Sequence, residues 1–121
     1  MRILLGVGGS DHSQRALEET IERVRETGDE LTVAIFHSEE VDATLTDVET
    51  QVKERLDAAG VEADIRRIEG HPGGELVQMA DAEFDRLIIG GGTRSPLGKI
   101  QLGSIAEFVV LNAETPVTLI R

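Results

Sequence analysis

The segment LIIGGGTRSPLGKIQLGSIAEFVVLNAETPVTLI, residues 87–120, decides how this chain is read. It opens on an apolar run, Leu87-Ile88-Ile89, and passes through a glycine-rich stretch. A helical pattern follows at Ile105, Ala106, Val109 and Val110, and after Pro116 comes a second apolar run, Val117–Ile120. Strand, helix and strand in that order make a crossover unit, which sets the two strands parallel in one sheet. Five of the fifteen residues from Gly90 to Ser104 are glycine. Glycines between a strand and a helix let backbone approach a phosphate closely.

The rest of the chain repeats the alternation. Buried-strand runs lie at Ile3–Val7 and Leu31–Phe36, and Val61–Ile68 alternates apolar with charged residues as an edge strand does. Ala16, Leu17, Thr20, Ile21 and Val24 mark one face of a helix over 12–27. Leu45, Val48, Val52 and Leu56 mark a second, ended by Gly60, and Leu76, Val77, Met79 and Ala80 a short third after Pro72. The order β-α-β-α-β-α-β-α-β predicts an α/β three-layer sandwich: a five-stranded parallel sheet with helices on both faces. The acidic stretch 38–47 reads as a loop running into the second helix, and 121 residues suit a single domain over 1–121. In such sheets ligands bind beyond the carboxyl ends of the strands, at the switch point of strand order.

Composition bounds the function. There are 23 acidic against 12 basic residues, a formal charge of −11, and only Lys53 and Lys99 are lysine. That balance argues against nonspecific nucleic acid and anionic membranes as partners, since both require basic patches. Acid excess with little lysine suggests a salt-rich cytoplasm, where screening relieves self-repulsion. Cysteine is absent, which removes disulfides and thiolate metal sites, and no apolar run approaches the length of a membrane span. The expected location is the cytoplasm.

Two common phosphate loops fail. Gly98-Lys99 is followed by Ile100 and preceded five residues earlier by Thr93, so no Walker A loop is present. Gly6-Val7-Gly8 begins a dinucleotide fingerprint, but Asp11 stands at the third glycine position. A third spacing fits: Gly90, two residues, position 93, nine residues, then Gly103-Ser104, with Thr93 where the middle glycine belongs. With this spacing, residues 88–120 resemble the C-terminal signature of the universal stress protein family. ILLGVGGSDHSQRALE is similar to that family's opening strand and helix, and GHPGGELVQMA resembles its third crossover. The acidic composition and the GGGTRSP variant look like haloarchaeal members.

The resemblance implies the adenine nucleotide alpha hydrolase-like fold with strand order 3-2-1-4-5. It also implies an ATP or AMP site at which Gly90, Gly103 and Ser104 surround the phosphates. Gly92, Arg94 and Ser95 fall within the phosphate loop, Val7 and Ser38 on the adenosine side, and Ile105 at the start of the following helix. By the family topology the C-terminal strand, 117–121, is a sheet edge, and a homodimer through it is expected, with Phe108 and Leu111 as possible apolar cover. Two positions depart from the family: Thr93, because a β-branched residue tolerates φ > 0 poorly, and Gly8, where the family carries an acid.

The residues also admit plainer readings. Ser104-Ile105-Ala106-Glu107 has the pattern of a capping box, which needs no ligand. Ser10-Asp11-His12-Ser13 reads as a helix N-terminus rather than as part of a triad, and His71-Pro72 as a helix entry. His37 ends a strand at a position bordering the cleft. No His pair or carboxylate cluster has metal-ligand spacing, and no residue pattern specifies a reaction; slow ATP hydrolysis is the most to be entertained. The leading expectation is therefore a stress-response binding module. A dimeric interaction protein with a purely structural loop, or a small-molecule α/β enzyme, are the alternatives.

Overall fold

A computed structural model describes residues 1–38, 41–91, 93–94, 100–101 and 103–121. Its main sheet holds β1 (Arg2–Val7), β2 (Glu30–Ile35), β3 (Asp64–Arg67), β4 (Arg86–Gly90) and β7 (Val117–Ile120). The strands are all parallel, in the order β3-β2-β1-β4-β7. This is the expected 3-2-1-4-5 arrangement, with β7 as its fifth strand. Two short strands, β5 (Thr93–Arg94) and β6 (Ile100–Gln101), pair antiparallel with each other outside that sheet. The helices are α1 (Asp11–Thr27), α2 (Leu45–Ala59), α3 (Pro72–Glu83) and α4 (Ser104–Asn112).

β1 is apolar on every residue after Arg2 because both of its faces are covered. Ile3, Leu5 and Val7 pack with Leu31, Val33 and Ile35 beneath Ala16, Leu17, Ile21 and Val24 of α1 and Val48, Val52 and Leu56 of α2. Leu4 faces the other way, joining Ala34, Phe36, Ile68, Leu76, Ala80, Leu87, Ile89 and Val109 against α3 and α4. Each fully buried side chain of this size contributes about 1.5–3 kcal/mol from removal of apolar surface.

Local signals start and stop the helices. The Ser10 hydroxyl accepts the Ser13 N–H, and Thr44 with Asp47 forms a reciprocal capping box at α2. Gly28 and Gly60 close α1 and α2 at φ 73° and 68°, where a side chain would be strained. His71 is the N-cap of α3: its Nδ1 accepts the Gly74 N–H at 2.9 Å, and Pro72 follows at the first helical position. β3 is shorter than the alternating run 61–68, because Val61 is still tied to α2 through its N–H to the Leu56 carbonyl.

One carboxylate fastens the last crossover. Asp81, on α3, accepts from the Thr115 hydroxyl at 2.6 Å and from the Thr115 N–H at 2.9 Å, and also takes the Glu114 N–H. These bonds hold its pKa below the ordinary aspartate range, the Thr115 hydroxyl contributing most. Because the folded value is depressed, the stabilisation is full at neutral pH and is lost as pH falls through that lowered value. Asp81→Asn is therefore expected to melt several degrees below the native protein at pH 7, with the difference shrinking below about pH 4. A difference that stays constant between neutral and acidic pH in calorimetric scans would contradict this account.

Candidate functional site

The strand order reverses between β1 and β4, so the loops leaving these two strands diverge and open a cleft at their carboxyl ends. Two helix N-termini border it. Any Cβ on Gly90, at the end of β4, would stand 2.2 Å from the backbone oxygen of His12 in the first turn of α1. Glycine at 90 is what permits α1 to begin directly over β4. A Cβ on Gly91 would come within 2.9 Å of the Ala106 Cβ in the first turn of α4. The Gly91 N–H donates to the Ile120 carbonyl at 3.0 Å.

On the β1 side most polar groups already have partners. The Val7 side chain is fully buried in the layer beneath α1 and α2, so only its backbone borders the cleft. Its carbonyl accepts the Phe36 N–H at 3.1 Å. The Gly8 N–H donates to the Ser13 hydroxyl oxygen at 3.0 Å, and Ser10 donates its hydroxyl to the same oxygen. The expectation that Ser10 to Ser13 serve the start of α1 is met, with Ser10 as the cap and Asp11 in the first turn. At the end of β2, His37 is exposed and Ser38 half-buried, and the Ser38 carbonyl accepts the Val41 N–H at 3.3 Å.

The α4 side differs. The sequence pattern at 104–107 predicts a capping box, but the cap of this helix is Gly103, which makes no side-chain bond to it. Ser104 is already helical and exposed, one position too late to cap, and Glu107 bonds through its N–H to the Gly103 carbonyl. Among the described residues, the first-turn amides of α4 thus receive no side-chain cap. Gly103 has φ −66° and, among the described residues, nothing within 4 Å of where its Cβ would stand. Unlike Gly90, it has no conformational reason to be glycine, and no packing reason among the described residues. Ile105 is half-buried against the α3/α4 layer, leaving its backbone as the group available to the cleft.

Thr93 is resolved differently from the sequence expectation. Among the described residues no non-glycine has positive φ, and Thr93 pairs with Gln101 in extended backbone, where β-branching is favourable. No left-handed conformation is demanded of it. The backbone of Arg94 pairs with Ile100. Gly92, Ser95 and Lys99 lie outside the described residues.

Phe36 is the residue that sequence reasoning missed at this site. Its ring covers the end of β1, 2.4 Å from where a Gly8 Cβ would stand. The parallel register pairs Val7 with Ile35 and brings the following residues, Gly8 and Phe36, side by side. A glycine abreast of an aromatic was the available signal, but it is readable only once that register is known. A groove of about 740 Å³ lies elsewhere, at the amino ends of β2 and β3, lined by Leu31, Leu56, Val61 and Ile65 with Glu30 and Glu62 at its margin. It is remote from the switch point and contains none of the cleft residues. Among the described residues no group of three or more His, Asp or Glu is placed to hold a metal ion. None of the described helices is long and apolar enough to cross a membrane.

A parallel sheet of this order, with a glycine-lined cleft between two helix starts, defines a doubly wound α/β domain. The chain belongs to the universal stress protein family, whose family model matches residues 1–121. It is 36% identical over 72 residues to universal stress protein MJ0531 of Methanocaldococcus jannaschii; the alignment covers 59% of this chain and 42% of that relative. A universal stress protein from Archaeoglobus fulgidus superposes with TM-score 0.78 at 27% identity, covering 100% of this chain and 98% of its own. A universal stress protein in complex with cAMP superposes with TM-score 0.77 at 25% identity, covering 100% and 96%. A universal stress protein from A. fulgidus in complex with dAMP shares the fold at 22% identity, TM-score 0.73, covering 100% and 98%.

Gly90 and Gly103, the first and last glycines of the 90–104 segment, are expected to separate in stability tests. Gly90→Ala is expected to cost about 2–3 kcal/mol or more, because backbone and not a pliable side chain blocks the new methyl group. Gly103→Ala is expected to stay within about 1 kcal/mol of native, since its site is open. Denaturant unfolding of the two variants checks both; equal losses would contradict the distinction.

Proposed function

We propose that this chain is a cytoplasmic stress-response module that binds an adenine nucleotide, ATP or AMP, in the cleft between β1 and β4, and signals by binding rather than turnover. The observation that carries this reading is the start of α4. Among the described residues it is a helix N-terminus with no side-chain cap, and its N-cap glycine faces open space beside the end of β4. Free N–H groups and the positive end of the helix dipole attract phosphate there, and Gly103 allows it to approach the backbone. Arg94 and Lys99 supply basic charge in the same segment of a chain of net charge −11. The solved universal stress protein structures in complex with cAMP and dAMP support the same ligand class.

The β1 side favours weak binding. The Val7 carbonyl, the Gly8 N–H and the Ser10 and Ser13 hydroxyls are bonded within the protein, and Gly8 contributes no side chain. Charge-assisted contacts are worth about 1.5–3 kcal/mol each, so loss of one moves a micromolar site toward the millimolar range. Titration calorimetry is expected to give a Kd of about 0.1–1 mM for AMP or ATP, weakened about tenfold by Arg94→Ala. No heat at several millimolar nucleotide would favour the second reading. In that reading the chain is an interaction protein whose cleft is architectural, as the packing role of Gly90 and the internally bonded start of α1 already allow.

The assembly proposed is a homodimer through β7. Among the described residues that strand pairs with β4 alone, and its four residues are half-buried. On the neighbouring α4, Leu111 is 73% and Val110 45% exposed, whereas Phe108 is half-buried and packs edge-on against His71. Pairing β7 with its copy would satisfy the free backbone edge and cover that apolar surface. The acidic surface is read as an adaptation to high salt, of the haloarchaeal kind. Light scattering in about 3 M KCl should give twice the 13.1 kDa chain mass, and the melting temperature should rise from about 0.1 M to 3 M KCl. A monomer at micromolar concentration, or a flat salt dependence, would refute the dimer or the salt adaptation respectively.

A further inference from the structure

The geometry around Phe36 makes a demand on any ligand in this cleft. The ring is 4% exposed and packs in one cluster with Leu4, Ala34, Ile68 and Leu76. Its Cε2, Cζ and Cδ2 lie 2.4, 2.9 and 3.1 Å from the position a Cβ at residue 8 would take. The same ring is 3.5 Å from a Cβ position on Gly6, which the Leu76 methyl Cδ1 approaches to 2.9 Å. Held on several sides, the ring has no free space to swing into, so the carboxyl end of β1 accepts no side chain. Position 8 is not a glycine for conformational reasons, since its φ is not positive. The nearest backbone groups are also committed, the Gly8 N–H to Ser13 and the Val7 carbonyl to Phe36 itself.

We infer that Phe36 is a specificity-determining residue of the cleft: by barring a side chain at the end of β1, it leaves the sugar of a bound nucleotide without a polar partner there, so that ribose and deoxyribose are accepted alike. Selection then rests on the phosphate end, at the start of α4. A site built to hydrogen-bond a hydroxyl rejects the analogue lacking it by large factors, whereas a wall with no side chain, whose Gly8 N–H and Val7 carbonyl are already engaged, gives little discrimination. This inference rests on the nucleotide reading above.

The test is a cycle of Gly8→Asp, Phe36→Ala and the two combined, followed by melting temperature and by calorimetry with AMP and with dAMP. The native protein is expected to bind AMP and dAMP within about threefold of each other. Gly8→Asp alone should melt well below native, because its side chain collides with the ring. In the double variant the two losses should be less than additive, and AMP should be preferred about tenfold or more, since a carboxylate with room to stand accepts sugar hydroxyls. Gly8→Ser with Phe36→Leu is a gentler pair should the first fail to fold, with the same ordering expected. A native preference for AMP of about tenfold, or a Gly8→Asp protein as stable as native, overturns the role of Phe36. If neither nucleotide binds at several millimolar, the nucleotide reading falls and this inference with it, a result distinguishable from an AMP preference with binding intact.

Discussion

The passage of α1 over the end of β4 is the contact on which the rest of this molecule depends. Helix α1 leaves β1 and must begin at once if it is to cover the sheet and return to β2. Its first turn therefore runs across the neighbouring strand, and His12 backbone occupies the space of any side chain at position 90. That close approach brings the start of α1 beside the end of β4, at the mouth of the β1–β4 pairing. The Ser10, Ser13 and Gly8 hydrogen bonds then fix the turn, so the geometry is braced without any bound molecule.

Much of this architecture is visible in the residues because burial on two faces leaves a strong mark. β1 and β2 are almost uniformly apolar, and Gly28, Gly60 and Pro72 punctuate the helices at positions with one physical explanation each. The cleft was less legible. The spacing from Gly90 to Ser104 pointed to it, yet could not distinguish a glycine needed by a neighbouring backbone from one that faces open space. Gly90 is the first kind and Gly103, among the described residues, the second. Ser104 misled for a related reason: the pattern S-x-x-E fits a capping box, but the helix starts one residue earlier than that pattern requires. Phe36 escaped notice because its partner, Gly8, lies 28 positions away and meets it only through strand register.

Charge is distributed so that this acidic chain tolerates itself locally. Arg66 bridges Asp64 and Glu83 while its guanidinium lies 5.8 Å from the Phe84 ring centre, and Arg67 holds Glu49 on α2. These pairs keep the Glu49 and Glu83 carboxyls below their ordinary range, chiefly through the arginine hydrogen bonds. They lie in contact with water, where each such pair is worth little by itself. Their effect is to charge the β3 edge on both sides of the chain, which discourages strand addition there and leaves β7 as the apolar edge.

The central position of β1 has a kinetic meaning as well. β1 meets β2 after one crossover, but its pairing with β4 joins Ile3 to Arg86, across most of the chain. Loop closure on that scale is the costliest step in entropy, so the β1–β4 seam belongs to the late, cooperative stage of folding. The cleft is the mouth of that seam. It exists only in molecules that have joined both halves, and whatever occupies it holds the halves together, so occupancy slows separation of the two halves as well as reporting that they have met.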